Sequence, residues 1–347
     1  MLRHAVLLAH ERFRRNLAVS ALLPLIATMI GAHLCTCINA FAADTTNRSK
    51  AVESAIIHAM TDPQRSGILG TISDEEIRVL CKNLRRELTP ASTREYLTVV
   101  SPREPVSRSF KPWDLTVITS KDIPVQKTIE LNREARDALV RMVKYINSHS
   151  RPNGARYKLV VVSGYRSSQY QSNLFERKVN SIRSANPKLS RAEAEKQAAR
   201  VVAPPHESEH TLGTTVDFTT GTQTSKGGDI LTNAIADTPE YVLMAEEAWK
   251  SGWVNSLRPG KEHLTGRMTE QWHWRYVGVP HAEIMWLSGW VPEEYRDYMR
   301  EQRSIAFKSS SGELYWVQHD KGTGRILTSV AAAREATAEV AQLGPTW

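Results

Sequence analysis

Hydrophobic and polar positions along the chain fall into four regimes. The first is an uncharged stretch from Asn16 to Ala43, dominated by Leu17–Leu34, preceded by Arg12, Arg14 and Arg15 and ending in Ala40-Phe41-Ala42. A basic start, an apolar middle and a small-x-small ending read as a signal peptide over residues 1–42, cut before Ala43. The alternative is an uncleaved membrane anchor, because the stretch exceeds the roughly 18 residues that cross a bilayer. Both readings place the body of the protein outside the cytoplasm, in the periplasm or cell envelope. Residues 43–110 follow as a helical extension and linker. Lys50–Met60 is a candidate helix, Ser73-Asp74-Glu75-Glu76 is a capping-box signature, and Ile77, Leu80, Cys81, Leu84 and Leu88 form a helical apolar stripe. The polar, proline-bearing stretch Thr89–Pro105 reads as a linker.

The third regime, residues 111–300, mixes both periods. Asn132–Asn147 carries Ala135, Leu139, Met142, Val143 and Ile146 at helical spacing, and Lys158–Val162 is a β-branched run typical of a buried strand. Ser167–Val179 and Ser190–Val201 read as helices, the second opened by Ser190-x-x-Glu193 and stopped by Pro204-Pro205. Short β-type runs follow at Thr214–Thr219 and Trp272–Val277, with Tyr241–Gly252 helical between them. Residues 301–347 form a C-terminal extension with a strand at Leu314–Gln318 and an Ala-rich helix at Ser329–Leu343. No internal repeat and no regular βαβ alternation is present. The expected class is α+β, a small mixed or antiparallel sheet with helices packed around a cleft.

Composition narrows this picture. The 347 residues suffice for one large domain or two modest ones, and 41% hydrophobic with 24% charged residues is ordinary for a globular chain. The net charge of +8 is partly carried by Arg3, Arg12, Arg14 and Arg15 in the leader. No Lys/Arg block or nucleic-acid motif is present, which argues against a nucleic-acid partner. Cys35 and Cys37 leave with the leader and only Cys81 remains, so the exported chain is held by its core or a metal rather than by disulfides.

Three segments carry candidate chemistry. In Ser208-Glu209-His210-Thr211-Leu212-Gly213-Thr214-Thr215-Val216-Asp217, His210 and Asp217 are seven apart. Gly213 and the β-branched run after it disfavour two turns of helix, whereas a turn leading into a strand brings both side chains to one point. Alone, this pair reads more readily as a structural histidine and a capping aspartate. Glu270-Gln271-Trp272-His273 adds a second imidazole and a further carboxylate. Three residues apart lie on opposite faces of a flat strand, so a bend or loop at Glu270 is needed. Two imidazoles and a carboxylate are a normal zinc donor set, and a free carboxylate beside them is a general base. Ser163-Gly164-Tyr165-Arg166 supplies a guanidinium at a strand end, suited to a carboxylate or an oxyanion or to a surface salt bridge. Gln171 lies one turn into the next helix.

Together the segments resemble the VanY-type zinc D-alanyl-D-alanine carboxypeptidases, LAS-type metallopeptidases. The family pattern is Ser-Gly-Tyr-Arg-Ser with a later Gln, then Ser-Glu-His-x-x-Gly-x-Ala-x-Asp, then Glu-Pro-Trp-His-x-Arg-Tyr-Val-Gly. This chain has Ser163–Ser167 with Gln171, Ser208–Asp217, and Glu270-Gln271-Trp272-His273-Trp274-Arg275-Tyr276-Val277-Gly278. The resemblance covers about residues 112–295. It implies one Zn²⁺ ion on His210, Asp217 and His273, Glu270 as catalytic base, and Arg166 as a catalytic and substrate-binding group. Gln171, Ser208, Ser163 and Trp272 would complete the substrate contacts, and the partner would be a peptidoglycan stem peptide. Three departures stand out: Thr215 for Ala, Gln271 for Pro, and His206 where Gly is common. An L,D-carboxypeptidase or wall endopeptidase fits the same motifs. A non-catalytic wall-binding module is the rival of another class, and the intact ligand set with Glu270 argues against it.

Overall fold

A computed structural model describes residues 95–221, 230–302, 304–319 and 326–331. The leader and the helices expected over 50–88 lie outside the described residues. The chain divides into two compact units, one of them Arg94–Asp297 and the other including Tyr298–Trp347. Among the described residues no helix is long and apolar enough to cross a membrane.

The larger unit begins with strands β1 (Leu115–Ile118) and β2 (Ile129–Asn132), which pair antiparallel. Helix α1 (Arg133–Asn147) follows directly, its N-terminus capped by the Asn132 side chain on the Glu134 N–H. Its apolar stripe, with Ala138 added, is buried. This stripe meets Leu159 and Val161 of β3 (Leu159–Ser163) and Val216 and Phe218 of β4 (Thr215–Thr220) in one core. Each fully buried Leu, Ile or Met contributes about 1.5–3 kcal/mol relative to exposure. Strands β3, β4, β6 (His273–Tyr276) and β5 (Trp253–Val254) form a four-stranded antiparallel sheet in the order β3-β4-β6-β5.

Between β3 and β4 run α2 (Ser168–Ala185) and α3 (Arg191–Ala198). Helix α2 extends past the expected end at Val179, because Ile182 continues the apolar row that packs with Val179 against Ala194 and Ala198. The expected capping box at Ser190 and Glu193 is formed. Between β4 and β6 lie α4 (Pro239–Glu247), a 3-10 turn over Ala248–Ser251 and the short α5 (Glu262–Thr265). Helices α6 (His281–Ser288) and α7 (Pro292–Gln302) follow β6.

Two expectations change. The described part of the presumed linker, residues 95–105, packs onto the larger unit. Tyr96, Val99 and Val100 are buried, the Tyr96 hydroxyl donates to Asn132 Oδ1 at 3.2 Å, and the Val106 N–H donates to the His206 carbonyl at 2.8 Å. The polar composition of the stretch masks these apolar anchors. In the C-terminal unit, β7 (Ser304–Lys308), β8 (Leu314–His319) and β9 (Ile326–Ala331) form an antiparallel meander. The strand expected at Leu314–Gln318 is β8. The expected helix from Ser329 instead opens in β9, where β-branched Ile326, Thr328 and Val330 favour a strand; residues 332–343 lie outside the described residues.

The turn before β4 is tightly constrained. Gly213 has φ +72°, and a Cβ there would stand 2.9 Å from Leu115 Cδ2 and 3.2 Å from Pro112 Cβ. Left-handed backbone disfavours any L side chain by roughly 1–2 kcal/mol before the contacts are counted. Gly213→Ala is therefore expected to lower unfolding free energy by about 1–3 kcal/mol. Urea titration followed by tryptophan fluorescence measures it, and a change within experimental error would refute the constraint.

Candidate metal centre

Strand register assembles the centre. Ser163 pairs with Asp217 across β3 and β4, and Asp217 pairs with His273 across β4 and β6. Alternation then divides the two faces: Val216, Phe218 and Trp274 enter the core, while Asp217 and His273 share the opposite face. His210 arrives from a 3-10 turn over Glu209–Leu212 that Gly213 closes. Glu270 lies just before β6, and the bend expected there is a turn in which the His273 N–H donates to the Glu270 carbonyl at 3.1 Å.

His210, Asp217 and His273 are all buried, and each offers a ligand atom within 4.8 Å of the others. His210 Nε2 is 3.2 Å from Asp217 Oδ2, and His273 Nδ1 is 3.3 Å from Asp217 Oδ1. The outer nitrogens are already used. His210 Nδ1 donates to the Gly164 carbonyl at 2.7 Å, and His273 Nε2 donates to Glu209 Oε2 at 2.8 Å. Such partners fix the tautomer and turn the second nitrogen's lone pair inward. Asp217 Oδ1 and His273 Nδ1 are buried without a hydrogen-bond partner, a pairing that a cation satisfies. The donor set and these two orphaned atoms fit a zinc ion with one coordination position left open.

Glu270 Oε2 is 3.7 Å from His273 Nδ1 and makes no tighter ion pair. Burial pushes its pKa up to about 7, helped by the Asp217 charge and opposed by His273 and Arg166. Burial and the Arg166 charge push His210 down to about 4, which keeps it neutral. Burial works to raise Asp217, but His210 and Arg166 hold it well below the usual carboxylate range. His273 behaves oppositely. Burial favours its neutral form, yet Asp217 and Glu209 on either side push it up to about 10.

Behind His273 stands a network that the sequence reading did not assign. Glu209 Oε2 also accepts from Ser256 Oγ at 2.6 Å, and Glu209 Oε1 accepts from Arg275 Nη1 at 2.6 Å. Arg275 is fully buried, and its Nη2 donates to the carbonyls of Tyr96 and Thr98. The signal was available. Arg275 is two residues from His273 on one strand and so shares its face, while Glu209 adjoins His210.

The other candidates are placed as follows. Arg166 pairs with Asp217 Oδ2, and its Nε donates to Ser163 Oγ at 3.0 Å. Two of its three nitrogens thus serve the centre itself, which leaves Nη1 for a substrate group. Gln171 is fully buried; its Nε2 donates to the Ala203 carbonyl at 2.7 Å, and its Oε1 is buried without a hydrogen-bond partner. Helix α2 continues the chain straight from Ser167 and turns that residue under the Ala203 loop. Ser208 is buried at the start of the 3-10 turn. Trp272 is partly buried and packs against the main core. His206, the departure from Gly, has φ +70°, the left-handed conformation that glycine adopts freely.

An α+β unit thus brings a buried His-Asp-His centre to one row of its sheet, with a desolvated glutamate beside it. Residues 128–279 match the family model described as VanY, D-alanyl-D-alanine carboxypeptidase. A D-alanyl-D-alanine carboxypeptidase of Enterococcus faecium is 28% identical over 248 residues, covering 71% of this chain and 66% of the relative. One of Enterococcus faecalis is 30% identical over 191 residues, covering 53% of this chain and 65% of the relative. The chain thus spans just under two thirds of the length of these curated relatives. The structure of the vancomycin-resistance D,D-dipeptidase VanXYg in complex with a D-Ala-D-Ala phosphinate analogue shares the fold, with a TM-score of 0.51 at 22% identity, covering 68% of this chain and 85% of that one.

Two outcomes follow for metal binding. Glu209→Gln removes the charge that orients His273 and is expected to weaken zinc affinity by roughly 10–100-fold; competition against a chromophoric chelator reads this, and unchanged affinity would refute the orienting role. Metal needs the neutral imidazole, whereas the flanking carboxylates keep His273 protonated up to about 10. Zinc binding should therefore release about one proton between pH 6 and 9, with affinity rising as pH rises. Calorimetry in buffers of different ionisation enthalpy measures it; buffer-independent heats would contradict it.

Proposed function

We propose that this chain is an exported zinc carboxypeptidase that removes the terminal D-alanine from peptidoglycan stem peptides. The observation that carries the reading is the convergence of His210, Asp217 and His273 on one point, with Glu270 Oε2 3.7 Å from His273 Nδ1. The basic, then apolar segment over residues 1–42, read as a leader, supports an envelope location.

His210 Nε2, Asp217 and His273 Nδ1 would hold the ion. When bound, Zn²⁺ supplies Lewis-acid polarisation of the scissile carbonyl and makes water acidic enough to be a nucleophile near neutral pH. Glu270 Oε2 takes the proton of the attacking water and passes it to the leaving amine, one carboxylate acting in turn as base and acid. Its elevated pKa suits both halves of that transfer. Arg166 offsets the charge of Asp217 and offers Nη1 to the developing oxyanion or to the free carboxylate of the substrate. The desolvated pocket strengthens each of these interactions.

Glu270→Ala is expected to keep zinc, since no ligand is lost, and to reduce hydrolysis by at least 10²–10⁴-fold. Metal content by mass spectrometry, together with mass analysis of penta- and tetrapeptide stems, tests this. Loss of one alanine from the pentapeptide alone supports the D,D reading, and cleavage of the tetrapeptide alone assigns the L,D activity instead. Turnover of Glu270→Ala near wild type would overturn the assigned mechanism.

A further inference from the structure

The turn carrying Glu270 is held by side chains that the motif itself does not contain. Where the family pattern has proline after the glutamate, this chain has Gln271, which keeps an N–H and lacks the ring that fixes φ. Its N–H and its side-chain Oε1 are both used. The Gln271 N–H donates to Asn233 Oδ1 at 2.8 Å, and its Oε1 accepts from the Tyr241 hydroxyl. Asn233 Nδ2 donates to the Thr269 carbonyl at 3.1 Å, so one amide spans residues 269 and 271 with Glu270 between them. A second amide, Asn255 Nδ2, donates to the carbonyls of Glu270 at 3.0 Å, Gln271 at 3.3 Å and His273 at 3.0 Å. The Glu270 N–H donates to the Leu257 carbonyl at 2.9 Å.

We propose that Asn233 and Tyr241, acting through Gln271, are positioning residues that set the stance of Glu270, a hydrogen-bonded clamp in place of the rigidity of a proline. The proposal rests on the reading of Glu270 as the base. A proline restricts the turn through its own ring, wherever its neighbours stand. The carbonyl of Gln271 is held by Asn255 and, at 3.0 Å, by Trp274 Nε1, but its N–H and side chain are restrained by Asn233 and Tyr241, which come from a 3-10 turn over Asn233–Asp237 and from α4. Asn233 is exposed and Asn255 is buried, so Asn233 is the member whose removal leaves the core intact. Small displacements of a catalytic group are felt in rate more than in binding, because the metal and the substrate contacts are untouched.

The test compares kcat, KM, zinc content and amide exchange across variants. Asn233→Ala is expected to lower kcat by about 5–10-fold, the effect of one or two hydrogen bonds, with KM and zinc stoichiometry unchanged. Tyr241→Phe should lower kcat in the same sense, by less. In a Gln271→Pro background, which lacks both bonded groups, most of the Asn233→Ala loss should disappear; Gln271→Ala, which keeps the N–H, should retain the Asn233 effect and abolish that of Tyr241→Phe. Unchanged kcat in Asn233→Ala and Tyr241→Phe, an equal Asn233→Ala loss in the proline background, or a loss that tracks zinc content would each overturn the clamp. Hydrogen exchange of the Gln271 amide needs no substrate: it should accelerate roughly tenfold or more in Asn233→Ala as its acceptor is removed, and an unchanged rate overturns the clamp even if the wild type hydrolyses no stem peptide, an outcome that would sink only the functional reading.

Discussion

The centre depends on the buried ion pair of Glu209 and Arg275. Two charges removed from water are expensive unless geometry is close and the remaining hydrogen-bonding capacity is filled. Here it is filled on the carboxylate, which takes Arg275, Ser256 and His273; on the guanidinium, Nη1 meets Glu209 and two backbone carbonyls share Nη2, while Nε is buried without a hydrogen-bond partner. A pair of this kind adds little net stability compared with apolar packing, but losing one partner strands the other, at about 3–5 kcal/mol. It therefore acts as a register lock. It joins the segment around Tyr96, the 3-10 turn before β4 and strand β6, and from that junction it reaches His273 through a single hydrogen bond. Thr215 Oγ1 donates to the Glu209 carbonyl at 3.1 Å, and Thr215 is the residue paired with Arg275 across β4 and β6. The backbone and side chain of Glu209 are thus both tied to the same rung of the sheet.

Charge pairing then divides three neighbouring carboxylates into different roles. Glu209 faces Arg275 and stays ionised, so it orients an imidazole. Asp217 faces Arg166 and two imidazoles and stays ionised, so it is fit to ligate. Glu270 has no arginine in contact among the described residues and sits in a desolvated wall, so its proton affinity rises into the range useful for proton transfer. The same functional group becomes orienter, ligand or base according to its partner, which is the general way that environments separate acid–base roles at one site. A cation held by His210, Asp217 and His273 would also take the place of the proton that Asp217 and Glu209 otherwise hold on His273.

Much of this was legible in the residues. The stripe of α1, the Val-rich β3 and the Ser190 capping box follow from periodicity and cap chemistry, and the need for turns at Gly213 and before His273 follows from spacing. What escaped had a different physical origin. The part of the presumed linker at 95–105 reads as polar because its anchors, Tyr96, Val99 and Val100, are few and its carbonyls, not its side chains, meet Arg275. The burial of Gln171 against the Ala203 carbonyl depends on a loop whose path no local pattern reveals. Arg275 carries no role in the sequence beyond its place in the motif until β6 is drawn beside β4, when a shared face makes it neighbour to His273. Long-range pairing, rather than local propensity, was the missing information.

The spacing of the motifs follows from the same sheet. Seven residues from His210 to Asp217 are one 3-10 turn, the left-handed Gly213 and the first residues of β4. Three residues from Glu270 to His273 are one turn entering β6. Neither interval is set by the reach of a side chain to a metal; each is the length of backbone that brings a turn residue over a particular rung. Because strand side chains alternate, one residue more or fewer between Gly213 and Asp217 would carry Asp217 to the face of Val216 and Phe218 and put an apolar residue opposite His273. The donor set is therefore specified less by the identity of its ligands than by the parity of the strand beneath them, and that parity is locked from below by Arg275 on Glu209.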